Sequence, residues 1–177
     1  RYDITDGIYG TTDNKIIVPA ASDNAANQFK NHPSVSGLVK NIEVKGERDS
    51  SIFPHDARYS WNRDFFGPLY IPEEGKTIAI NIDNLPLYKR VILEYEKNEL
   101  RVEGNQIYIN NQLATTYTFK QNYYWMMGDN RHNSIDARAW GFVPFDHVVG
   151  KPVFVWMSWD SNKKGFNKIR TDRVFTT

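Results

Sequence analysis

The chain has 177 residues, with 22 Lys and Arg against 21 Asp and Glu, a net charge of +1, no cysteine and 14% aromatic side chains. That balance gives no overall drive toward nucleic acid or an anionic membrane surface, and the lack of Cys removes disulfides and thiolate metal sites from the chain. No stretch approaches the roughly 18 consecutive apolar residues of a membrane span, and the length suits one ordinary domain, or one with a small appendage.

Taken in order, Ile4–Tyr9 and Lys15–Pro19 read as short extended pieces around polar turns. Ser22 is placed to cap a helix running to about Lys30, and Pro33 stops it. Leu38–Val44 alternates weakly and is expected as a strand, whereas Arg48–Asn62, rich in Ser, Pro, His, Asp and Arg, reads as a loop or irregular excursion. Phe65–Tyr70 contains Gly67-Pro68, a bend, and Thr77–Ile82 has good strand alternation. Pro86 marks a helix entry, after which Leu87, Val91 and Tyr95 share one face to about Glu96. Leu100–Val102 and Gln106–Asn110 form a hairpin through Glu103-Gly104-Asn105, and Tyr117–Phe119, Tyr123–Met127 and Val153–Trp159 complete the strands. The aromatic content suits half-exposed strands. The fold class expected is mainly β with minor α (α+β).

One segment stands apart. From Gly128 to Pro144 two acids and two arginines alternate, Asp129, Arg131, Asp136 and Arg138, with Ser134 among them and apolar aromatic runs on both sides. Charges enclosed by apolar sequence are expected to be at least partly buried and must then pair or coordinate something, because an isolated buried charge costs several kcal/mol or more. Gly128 and Asn130 suit a tight turn. The segment is therefore expected to be a paired polar network that holds something in place. Asp129, His132 and Asp136 are of metal-ligating types, but their spacing fits no helix-face pattern, and His132 reads more simply as a surface loop residue. A calcium loop from Asp129 fails too, since Ser134 stands where glycine is needed and Trp140 where glutamate is needed. His32 and His55, beside prolines, carry no catalytic context, and His147 reads as a turn residue. Tyr88, Tyr95, Tyr123 and Tyr124 read as packing residues. No metal and no cofactor is expected.

This segment resembles the last signature of the type I signal peptidases, Gly-Asp-Asn-Arg-x-x-Ser-x-Asp-Ser-Arg-x-Trp-Gly-Phe-Val-Pro. The match holds at Gly128, Asp129, Asn130, Arg131, Ser134, Asp136, Arg138, Trp140, Gly141, Phe142, Val143 and Pro144, and departs at Ala137. It extends over roughly Tyr117 to Phe175. The resemblance implies a membrane-bound serine endopeptidase that removes leader peptides from exported proteins with a Ser nucleophile and a Lys general base. Its place would be the periplasmic side of a bacterial inner membrane, its partners the signal peptides of exported preproteins and, through an upstream anchor, the membrane. Nucleic acid and metal are not among the implied partners. The family's Ser-Met-x-Pro and Arg-x-x-Gly-x-Pro-Gly-Asp motifs do not occur here. The chain is accordingly expected to be a C-terminal fragment, without catalytic residues of its own and inactive alone.

By the same resemblance, Ser134 is the hydroxyl that steadies the neutral lysine, and Asp129, Arg131, Asp136 and Arg138 are its scaffold, with Gly128 and Asn130 shaping the turn. Residues 1–116 would be a β-rich, non-catalytic inserted domain larger than the minimal family insert. Residues 117–177 would be the closing strands of the LexA/signal-peptidase-like catalytic β core. Without its upstream strands such a core would leave Trp125, Met127, Phe154 and Trp156 exposed or differently packed. Two other classes stay open: a non-catalytic envelope binding or assembly module, and a degenerate peptidase homologue.

Overall fold

Among the described residues, 9–10, 15–18, 21–160 and 164–176, the computed structural model holds four small antiparallel sheets and three short α-helices. The architecture is α+β, mainly β with minor α. It divides into two compact units, Arg1–Phe145 and Asp146–Thr177. No helix among the described residues is long and apolar enough to cross a membrane.

In the first unit, β1 (Tyr9–Gly10) pairs with β2 (Ile16–Ile17); apart from Tyr9, the extended piece expected at Ile4–Tyr9 lies outside the described residues. Helix α1 (Asp23–Lys30) starts where Ser22 accepts the Ala25 amide at 3.2 Å. The strand expected at Leu38–Val44 does not form. Its polar backbone is tied down by side chains instead: Glu43 N donates to Asp64 Oδ2 and Val44 O accepts from Asn62 Nδ2. With those groups occupied, no ladder can run through them.

Strand β3 (Thr77–Ala79) pairs with β7 (Thr116–Thr118), Ile78 opposite Tyr117. It is shorter than the alternation predicts because Asn81 Oδ1 accepts from the amides of Asp83 and Asn84, a local turn that competes with the ladder. Helix α2 (Leu85–Arg90) carries Pro86 in its first turn and widens into a π turn over Val91–Tyr95, closed by Glu96 N on Val91 O at 2.9 Å. Strands β4 (Leu100–Glu103), β5 (Gln106–Ile109) and β6 (Gln112–Ala114) form a meander. Its second turn uses Asn110 and Asn111, both at positive φ, the pattern of a two-residue hairpin. β6 is a strand the sequence pattern did not announce. The core gathers Val91, Ile92, Leu87 and Tyr88 from the helix, with Ile80, Ile107, Tyr117, Phe119, Tyr123 and Phe142 from strands and loops.

The strand expected at Tyr123–Met127 is confined to β8 (Tyr123–Tyr124). It pairs with β9 (Val143–Pro144), Tyr123 opposite Pro144, and Phe145 N donates to Asn122 O at 2.9 Å. Trp125 then leaves the ladder for an aromatic cluster with Phe53, Phe66 and Phe142, ring centroids 5.1–5.7 Å apart. Trp125 is therefore packed, while Met127 is exposed.

In the second unit, the expected strand Val153–Trp159 is reduced to two antiparallel bridges, Val155 with Thr176 and Trp159 with Ile169. The register slips between them, and a 3-10 turn at Thr171–Arg173 on the partner segment takes up the slack. Phe154 and Trp156 are both exposed.

Candidate functional site

The neck formed by β8 and β9 closes a loop that carries the whole charged signature. At its centre is Asp136, which caps the short helix α3 (Ala137–Trp140) by accepting from Arg138 N at 3.1 Å. The same carboxylate takes Arg138 Nε at 2.9 Å and Nη2 at 2.8 Å, and reaches back to Gly128 N at 3.0 Å. Both partners are buried, Arg138 to 3% exposure. The guanidinium bonds hold the Asp136 carboxyl at about 2 against the opposing effect of burial. Arg138 spends its remaining donors on the carbonyls of Arg131 and Arg63. Helix α3 ends at Gly141, whose φ of 94° favours glycine and whose missing side chain leaves room for the Phe53 ring.

Only half of the expected ion-pair network forms. Asp136 and Arg138 pair; Asp129 and Arg131 are exposed, and neither joins an ion pair among the described residues. Asp129 instead accepts from the next amide, Asn130 N, at 2.8 Å, and Arg131 contributes its carbonyl. Solvent on that side of the loop removes the need for charge pairing. Asn130 shapes the turn with its carbonyl, which accepts from Asn133 N at 3.1 Å and from the Ser134 hydroxyl at 2.7 Å.

Ser134 is thus half-buried with its proton committed to a carbonyl, leaving its oxygen free to accept. It lines an open cleft of about 200 Å³, facing Ser51, Ile52 and Arg63. Gly128 passes directly beneath: a Cβ there would sit 2.1 Å from Ser134 Oγ. Gly128→Ala is accordingly expected to displace Ser134 and to cost about 1–3 kcal/mol as an overpacking change, read as a lower urea midpoint. An unchanged midpoint would mean the loop gives way freely. Ala137, where the matched signature has serine, is fully buried with its amide on Met126 O at 2.9 Å, so a hydroxyl there would need an internal partner.

Sequence reasoning missed the other wall. The stretch read as a loop, Arg48–Asn62, packs against the signature: Phe53 N donates to Arg138 O at 2.7 Å, and the His55 ring lies 2.8 Å from Ala139 O and 3.1 Å from Ser50 O. Just beyond it, Arg63 Nη1 donates to His132 O at 3.0 Å and Asp64 Oδ1 lies 2.8 Å from His132 Nε2. The available signal was Phe53, Tyr59, Trp61, Phe65 and Phe66 interleaved with the charges, too many aromatic rings for a solvated loop. His132, Asp129 and Asp136 face different partners and do not converge.

Comparison with known proteins matches residues 71–159 to the model of the family described as signal peptidase, peptidase S26. The chain is similar to signal peptidase I of Buchnera aphidicola from Acyrthosiphon pisum, 45% identical over 65 residues, 36% of this chain and 21% of that protein. It is also similar to the Buchnera aphidicola enzyme from Schizaphis graminum, 32% identical over 125 residues, 63% of this chain and 39% of that protein. With signal peptidase I of Pseudomonas aeruginosa the identity is 26% over 171 residues, 85% of this chain and 55% of that protein. The chain therefore spans about half or less of the length of these relatives. No solved structure matches.

Proposed function

Because the chain belongs to the signal peptidase family, peptidase S26, we propose that it is the closing part of a signal peptidase I that removes leader peptides from exported proteins. The serine nucleophile and the lysine base are contributed by residues outside these 177. The observation that carries this reading is Ser134, half-buried at a cleft on a loop whose base is fixed by the Asp136–Arg138 pair.

The chemistry follows from the hydroxyl's bonding. A lysine acts as base near neutral pH only when burial lowers its pKa from about 10. A carboxylate beside it would restore the proton; a hydroxyl does not. With its own proton directed to Asn130 O, the Ser134 oxygen keeps lone pairs with which to accept from the amine N–H. The amine lone pair then stays available for the nucleophilic serine, whose oxygen attacks the scissile carbonyl as the proton moves to nitrogen. Asp136 and Arg138 hold this hydroxyl in place, and Gly128 and Asn130 shape the turn around it. The exposed Asp129 and Arg131 support it through backbone bonds. The substrate partners are signal peptides of preproteins, cut after small residues, and an anchor outside these residues holds the domain at the periplasmic face of a bacterial inner membrane.

The test compares the full-length polypeptide with residues 1–177 alone on a leader peptide bearing small residues before the cleavage point. Cleavage by the first and none by the second is the expected result. A full-length protein without cleavage, or an active 177-residue chain, would overturn the reading.

A further inference from the structure

We propose that Arg63 and Asp64 are positioning residues for Ser134, clamping the loop from outside through His132. This rests on the reading of Ser134 given above. The loop from Asp129 to Ile135 is fixed at its base by Asp136, yet His132, two residues before Ser134, stands exposed on its outer side. Two bonds restrain it there. Its carbonyl accepts from Arg63 Nη1 at 3.0 Å, and its ring Nε2 faces Asp64 Oδ1 at 2.8 Å. Carbonyl and ring are held from adjacent residues of one segment, so His132 can neither slide nor rotate without breaking one bond.

The clamp is itself immobilised. Asp64 Oδ2 accepts from Glu43 N at 2.9 Å, and Arg63 N donates to Glu43 Oε2 at 2.7 Å, a reciprocal pair of side-chain to backbone bonds. Asn62, 2% exposed, takes the amides of Asp64 and Phe65 on its oxygen and gives its nitrogen to the carbonyls of Val44 and Glu47. The Asp64 side chain is 18% exposed against 41% for His132, so the fixed element is the acid and the restrained one is the loop. Arg63 O also accepts from Arg138 Nη1 at 3.4 Å. One short segment thus reaches the loop at its tip and at its base. These residues lie far upstream of the signature in sequence, which gives the upstream part of the chain a share in placing the active-site hydroxyl.

The experiment uses the full-length enzyme with Asp64→Leu, Asp64→Asn, His132→Ala and the double variant Asp64→Leu/His132→Ala. Amide hydrogen exchange across residues 130–135 and cleavage kinetics are both measured. Asp64→Leu is expected to speed exchange in that loop at least tenfold and to lower kcat about tenfold, with KM within twofold. Asp64→Asn, which keeps only one of the two acceptor oxygens that serve His132 and Glu43 N, should fall between wild type and Asp64→Leu in both, and the double variant should be no worse than His132→Ala. Unchanged loop exchange in Asp64→Leu, or a rise spread evenly over the protein, would overturn the clamp. Faster loop exchange with unaltered kcat would overturn its positioning role. A wild-type enzyme that cuts no leader peptide would overturn the protease reading while the exchange measurement still judges the clamp.

Discussion

Asp136→Ala is expected to lower the melting temperature by roughly 10 °C, and Ser134→Ala to leave it nearly unchanged while reducing turnover of the full-length enzyme about a hundredfold. The first loss follows from what is stranded. Arg138 would keep its charge at 3% exposure with no carboxylate, and Gly128 N would lose its acceptor. Breaking a buried pair on one side costs about 3–5 kcal/mol, and each kcal/mol shifts the melting point of a chain this long by about 2–4 °C. Ser134→Ala removes a single part-buried hydrogen bond, near 1 kcal/mol, but under the proposed function it would free the lysine amine. Misplacing a reacting group by about an ångström costs on the order of a hundredfold. Equal losses of melting temperature in the two variants would overturn this division of labour.

The acid limb of stability carries the same signature. Asp136 is held at about 2 against an ordinary 3.8, so the folded state binds its proton less readily than the unfolded one. That stabilisation, about 2 kcal/mol, is complete above pH 4 and disappears as the pH falls toward 2. Arg138→Met should flatten this part of the profile.

The sequence made the signature legible because its charges sit between apolar runs and because a long pattern fixes many positions at once. Local devices were legible for the same reason that they are local: Ser22 capping α1, Pro86 opening α2, and Gly104 turning β4 into β5. What escaped depends on partners distant in sequence. Leu38–Val44 has strand-like alternation, but Asn62 and Asp64 capture its backbone. Asp129 and Arg131 match the signature as well as Asp136 and Arg138 do, yet only the latter two are enclosed by Phe53, Ile52 and the Arg63 segment. Periodicity cannot report which side of a loop another segment will cover. Glu96 escaped as well, since a single acid at a helix end ordinarily faces water.

Glu96→Ala is expected to destabilise the protein by about 3 kcal/mol, and the wild-type protein to lose stability steeply above pH 10. Glu96 is 6% exposed. Its carboxylate accepts from the hydroxyl of Tyr117, from that of Tyr123 at 3.0 Å and from Lys120 N at 2.9 Å. Asn98 completes the cluster, donating to Tyr117 Oη at 2.7 Å and accepting from Lys120 Nζ at 3.1 Å. Truncation leaves several buried donors unmet, each costing about 1–3 kcal/mol before relaxation. Burial first, and then the nearby carboxylate, raise both phenols above their ordinary 10. The folded protein therefore keeps protons that the unfolded chain releases, and its stability is whole below pH 10 and falls above it. Each tyrosine adds up to about 1.4 kcal/mol per pH unit to that decline. Urea midpoints between pH 9 and 11 read the slope, and Tyr123→Phe should remove its own share while the ring stays in the core. Because Tyr123 is also the β8 residue paired with Pro144 at the neck of the signature loop, losing this cluster loosens the mount on which Ser134 is carried. A slope unaltered by Tyr123→Phe would place the alkaline transition elsewhere, with the burial that pushes Tyr88 up to about 12 as the next source to examine.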